Sequence, residues 1–221
     1  MKFIQFLNSQ QTLPVGKIVC LGRNYAEHAK EMQAEVPSTP VIFLKPATAV
    51  ICDGMPIVLP SISREVHHEV ELVVVLGRGG KDIPASGALA HVAGYAIGLD
   101  MTLRDVQAEA KKKGLPWSVA KGFDTSAPVS RVVPASSVAD PHALTISCSV
   151  NGTLRQRSST GNMIYSVPRM IEYISSVFTL EEGDLIFTGT PEGVGPVVAG
   201  DIITAEIEGL VSTSHTVAAA R

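Results

Sequence analysis

The 221-residue sequence lacks most of the signals that would place it in a specialised class. Its three cysteines, Cys20, Cys52 and Cys148, are odd in number and scattered, with no CxxC pair. That pattern excludes a disulfide framework or a thiolate zinc site, and predicts three buried thiols in a reducing cytoplasm. No apolar run approaches the roughly 18 residues of a membrane-spanning helix, so no membrane partner is expected. Gln5, Asn8 and Gln10 interrupt the apolar stretch that an export signal would need. Basic charge is also scarce: 18 Lys and Arg against 21 Asp and Glu leave a formal charge of −3, and Lys111–Lys113 is the only lysine run. Nucleic acid is therefore not an expected partner. The glycine-rich run Gly189–Gly195 lacks the Lys-Ser/Thr pair of a nucleotide-binding P-loop.

With 45% hydrophobic and 18% charged residues, the chain has the make-up of a globular protein, read as one catalytic domain over residues 1–221. Short β-like runs dominate: Val41–Leu44, Val70–Leu76, Val92–Leu99, Leu144–Val150, Leu185–Thr188 and Ile202–Ile207. Asn151-Gly152, directly after the run Leu144–Val150, is read as a hairpin turn; without an export signal, the Asn-Gly-Thr sequon carries no weight as a glycan site. Three segments read as helices. The first opens with Asn24 as N-cap and Glu27 three residues on, and runs toward a stop near Pro37. The second is capped by Thr102 and Asp105, carries Arg104 and Gln107 on exposed first turns, and ends at Gly114 after three lysines suited to the helix dipole. The third follows Ser166-Val167-Pro168 and is read as packing alone. Strands do not alternate regularly with helices, so the expected class is α+β and β-rich, with mixed or antiparallel sheet and a few covering helices.

In His67-His-Glu-Val-Glu-Leu-Val-Val-Val-Leu76, side chains alternate across a strand, which puts Glu69 and Glu71 on one face with Val73 and Val75. A strand this apolar is buried, and two like charges about 7 Å apart in low dielectric repel unless a cation or a proton intervenes. A hard divalent ion, Mg²⁺ or Mn²⁺, suits oxygen-only ligation. Asp100, at the end of the run Val92–Leu99, is the candidate third ligand. Each acid alone also has an ordinary reading: an Asp before a helix caps it, and a strand Glu marks a solvated edge. His67 shares the face of Glu69, but His67 and His68 are read as structural or supporting groups rather than ligands. His28 and Glu31, three apart on the first helix, share a face where the carboxylate can orient the imidazole for water activation; a solvated helix pair is the bland alternative. Lys121 follows a short apolar stretch and needs an anion if buried, either the acidic cluster or a substrate. Lys45 either approaches the site or is the exposed start of a turn at Pro46.

Several long blocks in order, Gly22-Arg-Asn-Tyr-Ala-Glu-His28, Phe43-Leu-Lys-Pro46, His67-His-Glu-Val-Glu71, Gly94-Tyr-Ala-Ile-Gly-Leu-Asp100 through Gln107, Lys112 through Lys121, and Thr188 through Gly195, resemble the fumarylacetoacetate hydrolase superfamily over nearly the whole chain. The resemblance is closest to short acylpyruvase-like and fumarylpyruvate hydrolase-like members. It implies a mixed β-roll, a homodimer, and one Mg²⁺ or Mn²⁺ held by Glu69, Glu71 and Asp100. It further implies a water-activating dyad of His28 and Glu31 on a lid-like helix, with Lys121 and Gln107 beside the substrate. Arg23 and Arg104 are candidates to steer substrate carboxylates, and Thr190, with neighbouring backbone amides, to hold one. The implied reaction is metal-dependent C–C hydrolysis of a 2,4-dioxo acid to pyruvate and a carboxylic acid. Decarboxylation of oxaloacetate and isomerisation of a 2-hydroxyhepta-2,4-diene-1,7-dioate type of acid are the alternatives at the same site. A non-catalytic metal-binding protein is disfavoured by the intact dyad.

Overall fold

The structure, a computed structural model, describes residues 1–32 and 38–220. Val70–Leu76 is apolar on both faces except at Glu71, and it forms a fully buried strand in the middle of an eight-stranded mixed sheet. The strand order is Val41–Lys45, Ile18–Gly22, Leu185–Phe187, Val70–Leu76, Val92–Leu99, Ala127–Val129 and Val50–Cys52, with Val133–Pro134 also paired to Val92–Leu99. Leu185–Phe187 runs parallel to Ile18–Gly22, and Ala127–Val129 parallel to Val50–Cys52; the other pairs are antiparallel.

A second, five-stranded sheet has the order Thr153–Ser159, Thr145–Val150, Ile202–Ile207, Val211–Ala219 and Ile57–Leu59. Its first two strands join through Asn151 (φ 52°) and Gly152 (φ 75°), both in the left-handed region that a tight hairpin of this twist requires. A short three-stranded sheet of Thr102–Leu103, Val66–His68 and Gly195–Val197 lies at the entrance to the central strand. Phe3–Gln5 and Thr12–Pro14 form an N-terminal hairpin.

The period-two alternation of the central strand divides the core. Val70, Leu72, Val74 and Leu76 pack with Ile146, Cys148, Ile203 and Ala205 of the five-stranded sheet and with Met170, Ile171 and Ile174 of the helix Val167–Val177. Val73 and Val75 join Ile18, Cys20, Ala96, Phe187 and the N-terminal hairpin residues Ile4 and Leu13. Gly98, opposite Glu71, is required here, because a Cβ would lie 2.7 Å from Val73 Cγ2 and 2.9 Å from the Phe187 ring. The β-rich class with few helices is the one expected.

Several local expectations change. Asn24 does not cap the first helix, Ala26–Glu31, whose N-cap is Tyr25; its buried side chain bonds Thr188 O, Tyr165 O and Tyr165 N instead, tying distant segments together. The expected stop near Pro37 lies outside the described residues. Helix Arg104–Lys113 has Leu103 as N-cap, with no side-chain cap; Thr102 is in a strand, and Asp105 accepts from Val106 N, Arg64 N and the Ser63 hydroxyl. Gly114 closes that helix in the left-handed conformation (φ 64°), as its position suggested. Gln107 is buried rather than exposed, because the helix lies across the pocket. Of the three thiols, Cys20 and Cys148 are buried but Cys52, last residue of its strand, is exposed.

Candidate metal centre

Antiparallel pairing of Val70 with Leu99 puts Glu69 level with Asp100, and Asp100 N donates to Glu69 O at 2.8 Å. Alternation then brings Glu71 to the same side. One carboxylate oxygen from each of Glu69, Glu71 and Asp100 lies within 4.8 Å of the others, and all three residues are buried. Neither strand contains this cluster by itself; their register makes it.

Three cations surround it. Lys121 Nζ donates to Glu69 Oε2 (2.8 Å), Asp100 Oδ2 (2.5 Å) and Thr102 Oγ1 (2.6 Å), which engages all three of its hydrogens. Arg104 Nη2 donates to Glu69 Oε1 at 2.5 Å and Nη1 to Gln107 Oε1 at 2.8 Å, while Nε reaches His67 Nδ1 at 3.3 Å. Lys45 Nζ stands 2.7 Å from Asp100 Oδ1 as an ion pair, but its hydrogens go to the carbonyls of Met101, Lys121 and Ser126. Asp100 Oδ1 is therefore buried with no hydrogen donor.

That orphaned oxygen suits a metal ligand, because a buried acceptor with no hydrogen donor costs stability unless a cation engages it. Burial and the neighbouring Asp100 and Glu69 charges push the Glu71 carboxyl well above its ordinary pKa, opposed by the Lys121 charge and by a hydrogen bond from Gly189 N at 2.7 Å. Burial acts the same way on Glu69, but Lys121 and Arg104 overcome it and hold that carboxyl well below the usual range. Burial alone would depress Lys121; the Asp100 and Glu69 charges raise it instead. A set of oxygen donors with one orphan and one disfavoured carboxylate fits a divalent cation of the Mg²⁺ or Mn²⁺ kind.

The remaining candidates converge on the same pocket. His28, buried, faces it from the first helix, and its Nδ1 lies 3.1 Å from Glu31 Oε2. Glu31 Oε1 accepts from Gly193 N at 3.0 Å, which ties the helix to the glycine-rich loop carrying Thr190. Arg23, Arg104, Gln107, Lys121 and Thr190 all line the pocket with Glu69 and Glu71. Arg23 has φ 59°, an uncommon backbone state for a non-glycine residue and one that recurs at functional sites.

Of the two readings of Lys45, the one that brings it to the site holds: it is buried beside Asp100 rather than exposed at the Pro46 turn, and strand alternation agrees, since Val41, Phe43 and Lys45 share a face and Phe43 lines the pocket. Residues not singled out from the sequence as part of the site also contribute. The Lys121 ammonium sits 4.9 Å from the Phe43 ring centroid. Lys111, from the lysine run, stacks over Trp117 at 5.2 Å and lines the pocket with it; burial and the Arg104 and Arg23 charges lower its pKa. No local signal marks Thr102 or Gln156, which reach the site through strand pairing.

Residues 17–218 match the family model described as fumarylacetoacetate (FAA) hydrolase C-terminal. The chain is 57% identical over 195 residues, 88% of each chain, to a protein of Mus musculus called a mitochondrial oxaloacetate tautomerase. It is 50% identical over 195 residues, 88% of this chain and 89% of the other, to a mitochondrial oxaloacetate decarboxylase of Dictyostelium discoideum. Among solved structures, the crystal structure of fumarylpyruvate hydrolase from Pseudomonas aeruginosa, in complex with Mn²⁺ and pyruvate, superposes with a TM-score of 0.96 at 43% identity, covering 99% of this chain and 96% of that one.

Proposed function

The chain belongs to the fumarylacetoacetate hydrolase family, and from that membership we propose that it hydrolyses a carbon–carbon bond in a small 2,4-dioxo acid. Acylpyruvates such as fumarylpyruvate or acetylpyruvate are the proposed substrates, and pyruvate and a carboxylic acid the products. Glu69, Glu71 and Asp100 would hold one Mg²⁺ or Mn²⁺. The observation that carries this reading is the His28–Glu31 pair on the wall of a pocket lined by Glu69 and Glu71. The charge balance supports an anionic substrate: three carboxylates face three cations, Lys45, Arg104 and Lys121, so a divalent ion would leave positive charge in excess.

A bound Mg²⁺ or Mn²⁺ would supply Lewis-acid stabilisation of the negative charge developing on the pyruvate half. Glu31 accepts from His28 Nδ1–H, which fixes the tautomer and leaves Nε2 to take a proton from water. That water attacks the distal carbonyl, and His28 returns the proton to the carbon leaving as pyruvate. Gln107 is the better placed of the two candidate oxyanion donors. Arg104 engages its Oε1 and so leaves Nε2 free to donate, whereas Lys121 has no hydrogen to spare. Arg23, Arg104 and Thr190 position substrate carboxylates.

His28→Ala is expected to abolish acylpyruvate hydrolysis while Mn²⁺ still binds; unchanged turnover would remove His28 from water activation. A second reading keeps the site and changes the substrate to oxaloacetate, with enol–keto exchange or loss of the distal carboxylate. The two oxaloacetate-acting relatives support it. Fumarylpyruvate, acetylpyruvate and oxaloacetate, each assayed with Mn²⁺ and with chelator, rank the two readings: turnover of oxaloacetate alone would set hydrolysis aside. The same proposal takes residues 1–221 as one catalytic domain, working as a cytoplasmic homodimer. Among the described residues, no helix is long and apolar enough to cross a membrane.

A further inference from the structure

Gln156 lies on Thr153–Ser159 of the five-stranded sheet, outside every block discussed above, yet it is buried against the site. Its Oε1 accepts from Val70 N at 3.0 Å, and its Nε2 donates to Pro191 O at 2.9 Å. Each end of the amide is thus paired with a backbone group of fixed polarity, a donor at one end and an acceptor at the other, so the amide has one possible orientation. The second Nε2 hydrogen must then go to Thr190 Oγ1, 2.8 Å away. Because the Thr190 hydroxyl accepts there, its own hydrogen points elsewhere, and among the described residues no protein acceptor takes it. Thr190 lines the pocket. His68 completes the arrangement, with Nδ1 2.9 Å from the same Oε1 and so obliged to donate.

We propose that Gln156 is a positioning residue that fixes the polarity of Thr190, making its hydroxyl a dedicated hydrogen-bond donor to the carboxylate of a 2-oxo acid in the pocket. The inference rests on the proposed role of Thr190 in substrate binding. It links the five-stranded sheet to recognition, since one side chain joins the strand bearing Glu69 and Glu71 to the loop bearing Thr190. Gln156→Glu sharpens the issue: the size is kept and Val70 N retains an acceptor, but a carboxylate would draw the Thr190 hydrogen toward itself and away from the pocket.

The test is a double-mutant cycle read by calorimetric titration of pyruvate into protein saturated with Mn²⁺. Thr190→Val and Gln156→Glu should each weaken pyruvate about tenfold, the scale of one hydrogen bond to a charged group. The double variant should be weaker than the worse single one by no more than about twofold, since both remove the same contact. Thr190→Ser, which keeps the hydroxyl, should stay within about threefold of the parent. Losses that multiply to about a hundredfold would overturn the proposal while leaving the role of Thr190 standing. Pyruvate affinity untouched in Thr190→Val would instead remove that role, and the proposal with it. A Gln156→Glu loss that shows only when pyruvate is titrated at sub-saturating Mn²⁺, and is absent from the saturated protein, also overturns it, because Gln156 would then act on the metal strand through Val70. If Gln156→Glu does not fold, Gln156→Met enters the same cycle, where coupling to Thr190→Val supports the proposal and full additivity overturns it.

Discussion

Two fully buried aspartates occupy opposite ends of the same sheet; both are paired with lysine, and they differ in how far their oxygens are satisfied. Asp184 precedes the strand Leu185–Phe187, where Oδ1 accepts from Lys17 N (2.9 Å), Oδ2 accepts from Glu181 N (2.7 Å), and Lys17 Nζ lies 2.5 Å from Oδ2. Gly16 leaves room for it, since a Cβ there would come within 2.3 Å of Oδ1. Asp100 instead keeps one oxygen without a hydrogen donor and shares its surroundings with two further carboxylates. A buried charge with every acceptor engaged is a fastener between a strand and a turn. One that keeps an oxygen without a hydrogen donor, beside like charges, is suited to binding a cation. Satisfaction of the carboxylate, not burial, separates the scaffold end from the reactive end.

The largest expected break in that contrast is at the reactive end. Asp100→Asn should lower kcat/KM about a thousandfold, roughly 4 kcal/mol of lost transition-state stabilisation, while leaving the fold intact by circular dichroism. Residual activity near the parent level would end the metal assignment. Asp184→Ala should do the reverse. It should cost about 3–5 kcal/mol in urea unfolding, as breaking a buried ion pair does, with kcat/KM per folded molecule within about twofold of the parent. A large activity loss there would mean the two ends are coupled. The next effect is metal-linked: Mn²⁺ at about 100 times its dissociation constant should add about 2.7 kcal/mol to the parent and to the Asp184 variant, and nothing to Glu71→Gln. Metal-free Glu71→Gln should itself melt higher than the metal-free parent, because it removes a charge that burial, Asp100 and Glu69 all disfavour.

The smallest effect lies in the five-stranded sheet. Burial holds the His215 imidazole below its ordinary pKa, opposed by a bond to Met55 O. The unfolded chain therefore takes up this proton more readily than the folded one. Stability is complete above about pH 6.5 and falls as pH drops toward the folded-state value, by at most about 1.4 kcal/mol per pH unit. His215→Gln should flatten the decline in unfolding free energy between about pH 7 and about pH 5. An unchanged slope would assign it to His67 and His68, whose pKa values burial also lowers.

Much of this was legible in the chain because it is local. Val70–Leu76, Val92–Leu99 and Ile202–Ile207 are strands over the expected residues, and Asn151-Gly152 and Gly114 stand where a hairpin and a helix end require positive φ. The His28–Glu31 contact follows from helical spacing. Failures came where a residue with a good local reading found a better distant partner. Asn24 gave up a helix cap for Tyr165 and Thr188, and Thr102 one for the Lys121 ammonium. Ile18–Gly22 and Val211–Ala219 are strands outside the expected runs; the second alternates its burial but is rich in Ser and Thr, so its period carries little hydrophobic contrast.

By itself the sequence determined directions: Glu69 and Glu71 on one face, His28 and Glu31 on another, and turns where glycine permits them. Such periodicities are set by backbone geometry within a few residues. Only the tertiary structure decided partners: Asp100 beside Glu69, Lys45 against Asp100, and Gln156 between Val70 and Thr190. Those contacts depend on which strands pair and in what register, a choice made by burying apolar surface across the whole chain, and no short stretch of residues encodes it.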